Sequence, residues 1–223
     1  MSCCFVARSV LRNSQQQTRL FSKKHKKSSQ QWLERHVNDP FVKKAQASDK
    51  VSRSYYKLEY MDKKYGLLKS DHTNVVDLGA APGGWTSYAS DKGARVLAID
   101  LLEIDEQIAE LPNVDFIQGD FTMLAQELSN MKAHVVMSDM APNFVGDSRT
   151  DAIRTADLCE QALEFSFTIL EPGGVFVGKY FSGPEEQELK EMARQEFAKV
   201  VTVKPPASRK ESSERYLVAQ GRH

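Results

Sequence analysis

The chain has 223 residues with 30 basic and 30 acidic side chains, so its formal net charge is zero. At roughly 100–200 residues per domain this is one domain with a short extension, and 41% hydrophobic content is enough for a packed core. No apolar run approaches the roughly 18 residues of a membrane-spanning helix, and three cysteines build neither a disulfide framework nor a four-ligand zinc site.

Neutrality weighs against a protein that coats nucleic acid, until the charge is read by segment. Residues 1–22 carry Arg8, Arg12 and Arg19 and no acid. Residues 23–69 hold 13 basic and 5 acidic side chains, residues 70–198 hold 8 and 23, and residues 199–223 hold 6 and 2. An acidic body therefore lies between two basic flanks.

In chain order, residues 1–22 read as a mitochondrial targeting segment: arginine-bearing, rich in serine and glutamine, with Phe5, Val6, Val10 and Leu11 interleaving with Arg8 and Arg12. Residues 23–48 form a basic extension, and 49–223 the main domain. Val51, Tyr55, Leu58 and Met61 have helical spacing within 49–68, and Gly66 marks the end of that helix. Strands are expected at 74–78, 95–100, 114–118, 134–138, 175–178, 200–203 and 216–219. Helices are expected from 84 to about 92, over 153–170, and from Pro184 to about 198. Strands separated by helices predict an α/β domain with a mostly parallel sheet, and a ligand at the strand C-terminal ends.

Asp77-Leu-Gly-Ala-Ala-Pro-Gly-Gly-Trp85 joins a predicted strand to a helix. Glycines there permit close backbone approach, and the helix start offers free N–H groups. Asp100 ends the next strand, where a carboxylate can accept hydrogen bonds from ribose hydroxyls. That spacing also fits a dinucleotide site, yet Ala81 stands at the middle glycine position and Pro82 removes an N–H. Asp77 opposes a phosphate and attracts a cationic amine, so S-adenosylmethionine fits better than NAD. Asp120 and Asp139 follow the next two predicted strands at the same edge. Lys179 follows a buried strand and Lys57 lies on the early helix, both open to a structural reading as snorkelling or solvated lysines. The histidines are dispersed, and no metal site is expected.

Five stretches in order carry a resemblance: Ser52-Arg-Ser-Tyr-Tyr-Lys57-Leu, DLGAAPGGW from Asp77, SDMAPN from Ser138, Gly178-Lys-Tyr-Phe181, and Ser208-Arg209 with Ser213-Glu-Arg-Tyr216. Together they resemble the FtsJ-type (RrmJ-like) ribosomal RNA 2′-O-ribose methyltransferases, over residues 32–223. The resemblance implies a Rossmann-like fold with a seven-stranded, mostly parallel sheet and helices on both faces. It implies a catalytic tetrad of Lys57, Asp139, Lys179 and Glu214, and contacts to S-adenosylmethionine at Gly83, Trp85, Asp100, Asp120 and Asp139. Lys179 is then the general base or the group that orients the attacking oxygen. Residues 31–43 look like the mitochondrial branch, whose target is a uridine ribose in the A-loop of large-subunit ribosomal RNA. The partner expected is the large ribosomal subunit precursor, with the basic flanks on phosphate and Tyr55, Tyr56 or Tyr180 stacking on a base. Rival readings are a methyltransferase of tRNA or an mRNA cap, a non-catalytic assembly factor, and an NAD-dependent dehydrogenase.

Overall fold

The computed structural model describes residues 37–69 and 73–223. The targeting segment expected over residues 1–22 and the start of the expected basic extension lie outside the described residues. The chain divides between Lys44 and Ala45, and the unit Ala45–His223 holds the sheet. A helix, Pro40–Ala47 (α1), crosses that division.

In order, the unit contains α2 (Tyr55–Tyr65), β1 (Asn74–Leu78), α3 (Gly84–Asp91), β2 (Arg95–Asp100), α4 (Glu106–Ala109), β3 (Val114–Gln118), α5 (Phe121–Leu128) and β4 (Ala133–Ser138). There follow α6 (Ser148–Ile169), β5 (Leu170–Phe181), α7 (Glu186–Glu196), β6 (Phe197–Val203) and β7 (Glu214–Arg222). The seven strands form one sheet in the order β3-β2-β1-β4-β5-β7-β6. Pairs from β3 to β5 are parallel, while β7 runs antiparallel between β5 and β6.

Strand alternation builds two cores from one sheet, because successive side chains point to opposite faces. Val76, Leu78, Val136, Phe176, Tyr180 and Leu217 pack on one side with Leu163 and Ile169 of α6 and Leu189 of α7. Val75, Val135, Met137, Val177, Tyr216 and Val218 pack on the other with Leu58 and Met61 of α2 and Trp85 and Tyr88 of α3. Each fully buried aliphatic or aromatic side chain contributes about 1.5–3 kcal/mol.

Several boundaries move from those read in the sequence. The helix expected over 153–170 begins at Ser148, since Asp147 caps it by accepting from Thr150 N–H at 2.8 Å. Its buried stripe, Ala152, Ala156, Cys159, Leu163 and Ser166, keeps helical period. Strand β5 runs from Leu170 to Phe181, well beyond the expected 175–178, and its pairing with β4 shifts register between Ala133 and Val135. Lys179 is therefore inside a strand rather than after one. Pro184 lies in the turn before α7, not in its first turn.

Candidate active site

The antiparallel direction of β7 decides what meets at the site. A strand running against β5 brings its first residues to the C-terminal ends of the parallel strands. Tyr216 pairs with Lys179, and Glu214 with Phe181. From the other side, α2 is held to α3 by Trp85 Nε1, which donates to the Ser54 carbonyl at 3.0 Å, and by Tyr88, whose hydroxyl donates to Asp62 at 2.7 Å. Lys57, in the first turn of α2, is thereby turned onto the sheet.

The structure brings Lys57, Asp139, Lys179 and Glu214 into one cluster. Lys57 Nζ lies 2.9 Å from Glu214 Oε2 and 4.0 Å from Asp139 Oδ2. Lys179 Nζ lies 3.2 Å from Asp139 Oδ1 and also donates to the Asp139 main-chain oxygen. Both lysines and Glu214 are buried, at 5%, 8% and 9% exposure. Their solvated or snorkelling reading is thereby set aside. Ser208 donates to Glu214 Oε1 at 2.6 Å, fixing the carboxylate from behind.

Tyr216 is the central residue that sequence reasoning missed as part of the site. Its hydroxyl accepts from Lys57 Nζ at 2.9 Å and donates to Asp139 Oδ1 at 2.8 Å, so it links the two halves of the cluster. Burial, reinforced by the charges of Asp139 and Glu214, pushes its phenol well above the ordinary value and keeps it a neutral donor. For Asp139, burial opposes ionisation, but the Lys179 and Lys57 ammonium groups and the Tyr216 hydroxyl outweigh it. Its carboxyl is held below the usual aspartate range.

Beside this cluster lies the glycine-rich turn. Gly79 and Gly83 have φ of +74° and +112°, which only glycine adopts without strain. Their missing side chains make room chiefly for protein: a Cβ on Gly79 would sit 2.2 Å from Met140 Cγ, and one on Gly83 3.2 Å from Ile108. Asp100 faces the turn, accepting from Ala81 N–H and Leu102 N–H at 2.8 Å each. Asp120 caps α5 through Thr122. Trp85, at the start of α3, packs its side chain in the core at 2% exposure and bonds the Ser54 carbonyl.

Asp77 accepts from the Thr86 hydroxyl at 2.6 Å, while its Oδ1 is buried without a partner. Burial pushes its carboxyl up to about 7, opposed by the Thr86 hydrogen bond and assisted by Asp139 and Asp100. A row of carboxylates at one sheet edge, one with an unsatisfied oxygen, fits a ligand that carries a positive charge and ribose hydroxyls. The residues present therefore fit S-adenosylmethionine, which the turn at 79–84 would hold together with Asp100 and Asp120. Among the described residues, no group of three His, Cys, Asp or Glu side chains is placed to hold a metal ion.

Residues 50–222 match the FtsJ-like methyltransferase family. A protein of Granulibacter bethesdensis named ribosomal RNA large subunit methyltransferase E is 48% identical over 206 residues, covering 90% of this chain and 87% of its own. A protein of the same name from Legionella pneumophila (strain Corby) is 48% identical over 204 residues, covering 87% of this chain and 97% of its own. Among solved structures, a Plasmodium falciparum protein described as a ribosomal RNA methyltransferase superposes with a TM-score of 0.64 at 27% identity, covering 77% of this chain and 97% of that one. Human methyltransferase-like protein 13 shares the fold at 14% identity, with a TM-score of 0.55 over 74% of this chain and 82% of that one. The chain belongs to the FtsJ-like methyltransferase family and is an S-adenosylmethionine-dependent methyltransferase.

Proposed function

We propose that this protein methylates the 2′-hydroxyl of a uridine ribose in large-subunit ribosomal RNA of mitochondria, and that the modification supports ribosome assembly. The observation that carries the reading is the Lys57–Tyr216–Asp139–Lys179 network beside the glycine-rich turn, with Glu214 closing it through Lys57. The bacterial relatives' name supports ribosomal RNA as substrate. The acid-free leader supports mitochondrial import.

A ribose hydroxyl is a weak acid and a poor nucleophile. When bound, S-adenosylmethionine supplies a methyl group on a sulfonium, already a good electrophile. Catalysis by this chain is then chiefly alignment. Lys179 donates to the 2′-oxygen and aims a lone pair at the methyl carbon. Asp139, kept ionised by its neighbours, fixes the Lys179 amine and leaves it one direction of approach. Lys57 and Glu214 hold Tyr216, and Tyr216 holds Asp139. The C–O bond would form as the methyl's bond to sulfur breaks with its electron pair left on sulfur, and the hydroxyl proton, made strongly acidic, would leave to water. The basic segments contact phosphate.

The test is methyl transfer in vitro with large-subunit ribosomal RNA, tRNA and capped mRNA offered separately, followed by alkaline hydrolysis. A 2′-O-methyl group leaves one phosphodiester uncleaved. The reading requires resistance at one site in ribosomal RNA; resistance confined to tRNA or the cap would replace it. Transfer to no RNA would leave an assembly role without catalysis.

A further inference from the structure

The aromatic residues expected to stack on RNA are occupied otherwise. Tyr56 and Tyr180 are buried, and Tyr180 bonds Thr202. Tyr55 stands edge-on to Tyr56 and Tyr88, and its hydroxyl donates to Asp91. A different pair stands open at the site. Phe144, in the loop after Asp139, is 56% exposed, and its ring stacks on Phe181 with planes 9° apart and centroids 5.5 Å apart.

That exposed ring is held in place. The Asn143 carbonyl accepts from Arg154, and the Val145 and Gly146 N–H groups donate to the two oxygens of Asp151. The backbone is thus clamped to α6 on both sides of Phe144, while its side chain points away from the core. More than half of the ring stays in water despite that clamping and the stack on Phe181, and a partner that covers it avoids the ordering cost on binding.

Position selects the partner. Phe181 is two residues beyond Lys179 on β5, on the same face and about 7 Å along the strand at 3.3–3.4 Å per residue. Directly across the ladder from Phe181 is Glu214. The two-ring stack therefore stands on the same sheet face as Lys179 and beside the cluster of ionisable groups. Arg149 on the first turn of α6 and Arg215 beside Glu214 offer cations for the flanking phosphates.

We propose that the outer face of Phe144, backed by Phe181, stacks on the base of the nucleotide being methylated, turned out of the RNA so that its ribose reaches Lys179. This rests on the RNA reading above and adds the residue that positions the reacting nucleotide. Stacking on an aromatic face is sequence-tolerant, so the platform orients a base and leaves the choice of site to RNA shape and phosphate contacts.

The test uses the full chain and a short RNA containing the position that the wild-type protein methylates, in an intact form and in a form whose target base is replaced by hydrogen with the ribose kept. Phe144→Ala is expected to lower kcat/KM for intact RNA on the order of tenfold, with KM for S-adenosylmethionine and Tm unchanged. Phe144→Trp should retain wild-type activity. On the base-free RNA the wild type should fall to the level of Phe144→Ala, and the substitution should have no further effect. Full activity of Phe144→Ala on intact RNA overturns the proposal, as does a penalty that persists undiminished without the base. A loss shared by donor affinity and Tm assigns Phe144 a structural role instead. If the wild type methylates no ribosomal RNA, the functional reading fails and the platform falls with it; if it does and only the Phe144 results fail, the functional reading stands.

Discussion

Tyr216 donates to Asp139 while accepting from Lys57, so a single hydroxyl couples a lysine on α2 to a carboxylate that follows β4. Asp139 owes part of its lowered pKa to that hydrogen bond. Tyr216→Phe keeps the ring, which packs beside Trp85 at 5.6 Å, and removes only the link. The expected loss in single-turnover methyl transfer is roughly 10- to 100-fold, from about 1–3 kcal/mol for a buried group left unsatisfied. Since the hydrogen bond favours the carboxylate, its removal raises the Asp139 pKa and moves the acid limb of the rate profile toward neutral pH. An unshifted limb would place Tyr216 outside the proton balance of Asp139.

The Lys57–Glu214 pair is buried, so removing one partner strands the other. Lys57→Met should cost about 3–5 kcal/mol of unfolding free energy, with Glu214→Gln costing less because Ser208 can still hydrogen-bond the amide. The double variant should be more stable than the sum of the single losses predicts. Denaturant unfolding of the four proteins closes the cycle, and strict additivity would mean the pair does not interact energetically.

Asp77 predicts a pH dependence of the opposite sign to that of a salt-bridged carboxylate. Its folded value, about 7, lies above the unfolded value near 3.9. Its contribution to stability is therefore complete below about pH 4 and is lost as pH rises through 7. Asp77→Asn cannot ionise, so without donor the variant should gain on wild type between pH 5 and pH 8, on the order of a few kcal/mol. An equal stability difference at both pH values would show that burial does not raise this carboxyl.

Much of this was legible from residue order. Strands β1, β2 and β3 appear at the expected residues because short apolar runs end in Gly or Asp. Lys57, Asp139, Lys179 and Glu214, singled out by resemblance, do lie together. The position of Tyr216 was not legible, since it depends on β7 entering between β5 and β6 in the antiparallel direction, a long-range choice no local pattern reports. The start of α6 was hidden because its cap, Asp147, precedes a polar first turn. Asp62, which fastens α2 to Tyr88 and to the Leu68 N–H, reads locally as one more helix acid. Gly178 reads as a strand weakener, yet a Cβ there would meet Cys159 Sγ at 2.6 Å, so it lets α6 lie against β5.

Gly79 tests the turn. Gly79→Ala meets both a positive φ and Met140, so it should destabilise the protein by roughly 1–3 kcal/mol. It should also weaken S-adenosylmethionine binding by displacing Met140, the residue next to Asp139. Isothermal titration with the donor reads the second effect; unchanged affinity would separate the turn from the donor site.

The most direct measurement is a map of 2′-O-methyl groups on mitochondrial large-subunit ribosomal RNA from cells lacking the protein and from the same cells supplied with wild type or with Asp139→Ala. One ribose should lose its methyl group, wild type should restore it, and Asp139→Ala should be present at normal level without restoring it. An unchanged methylation pattern, or restoration by Asp139→Ala, would contradict the proposed function.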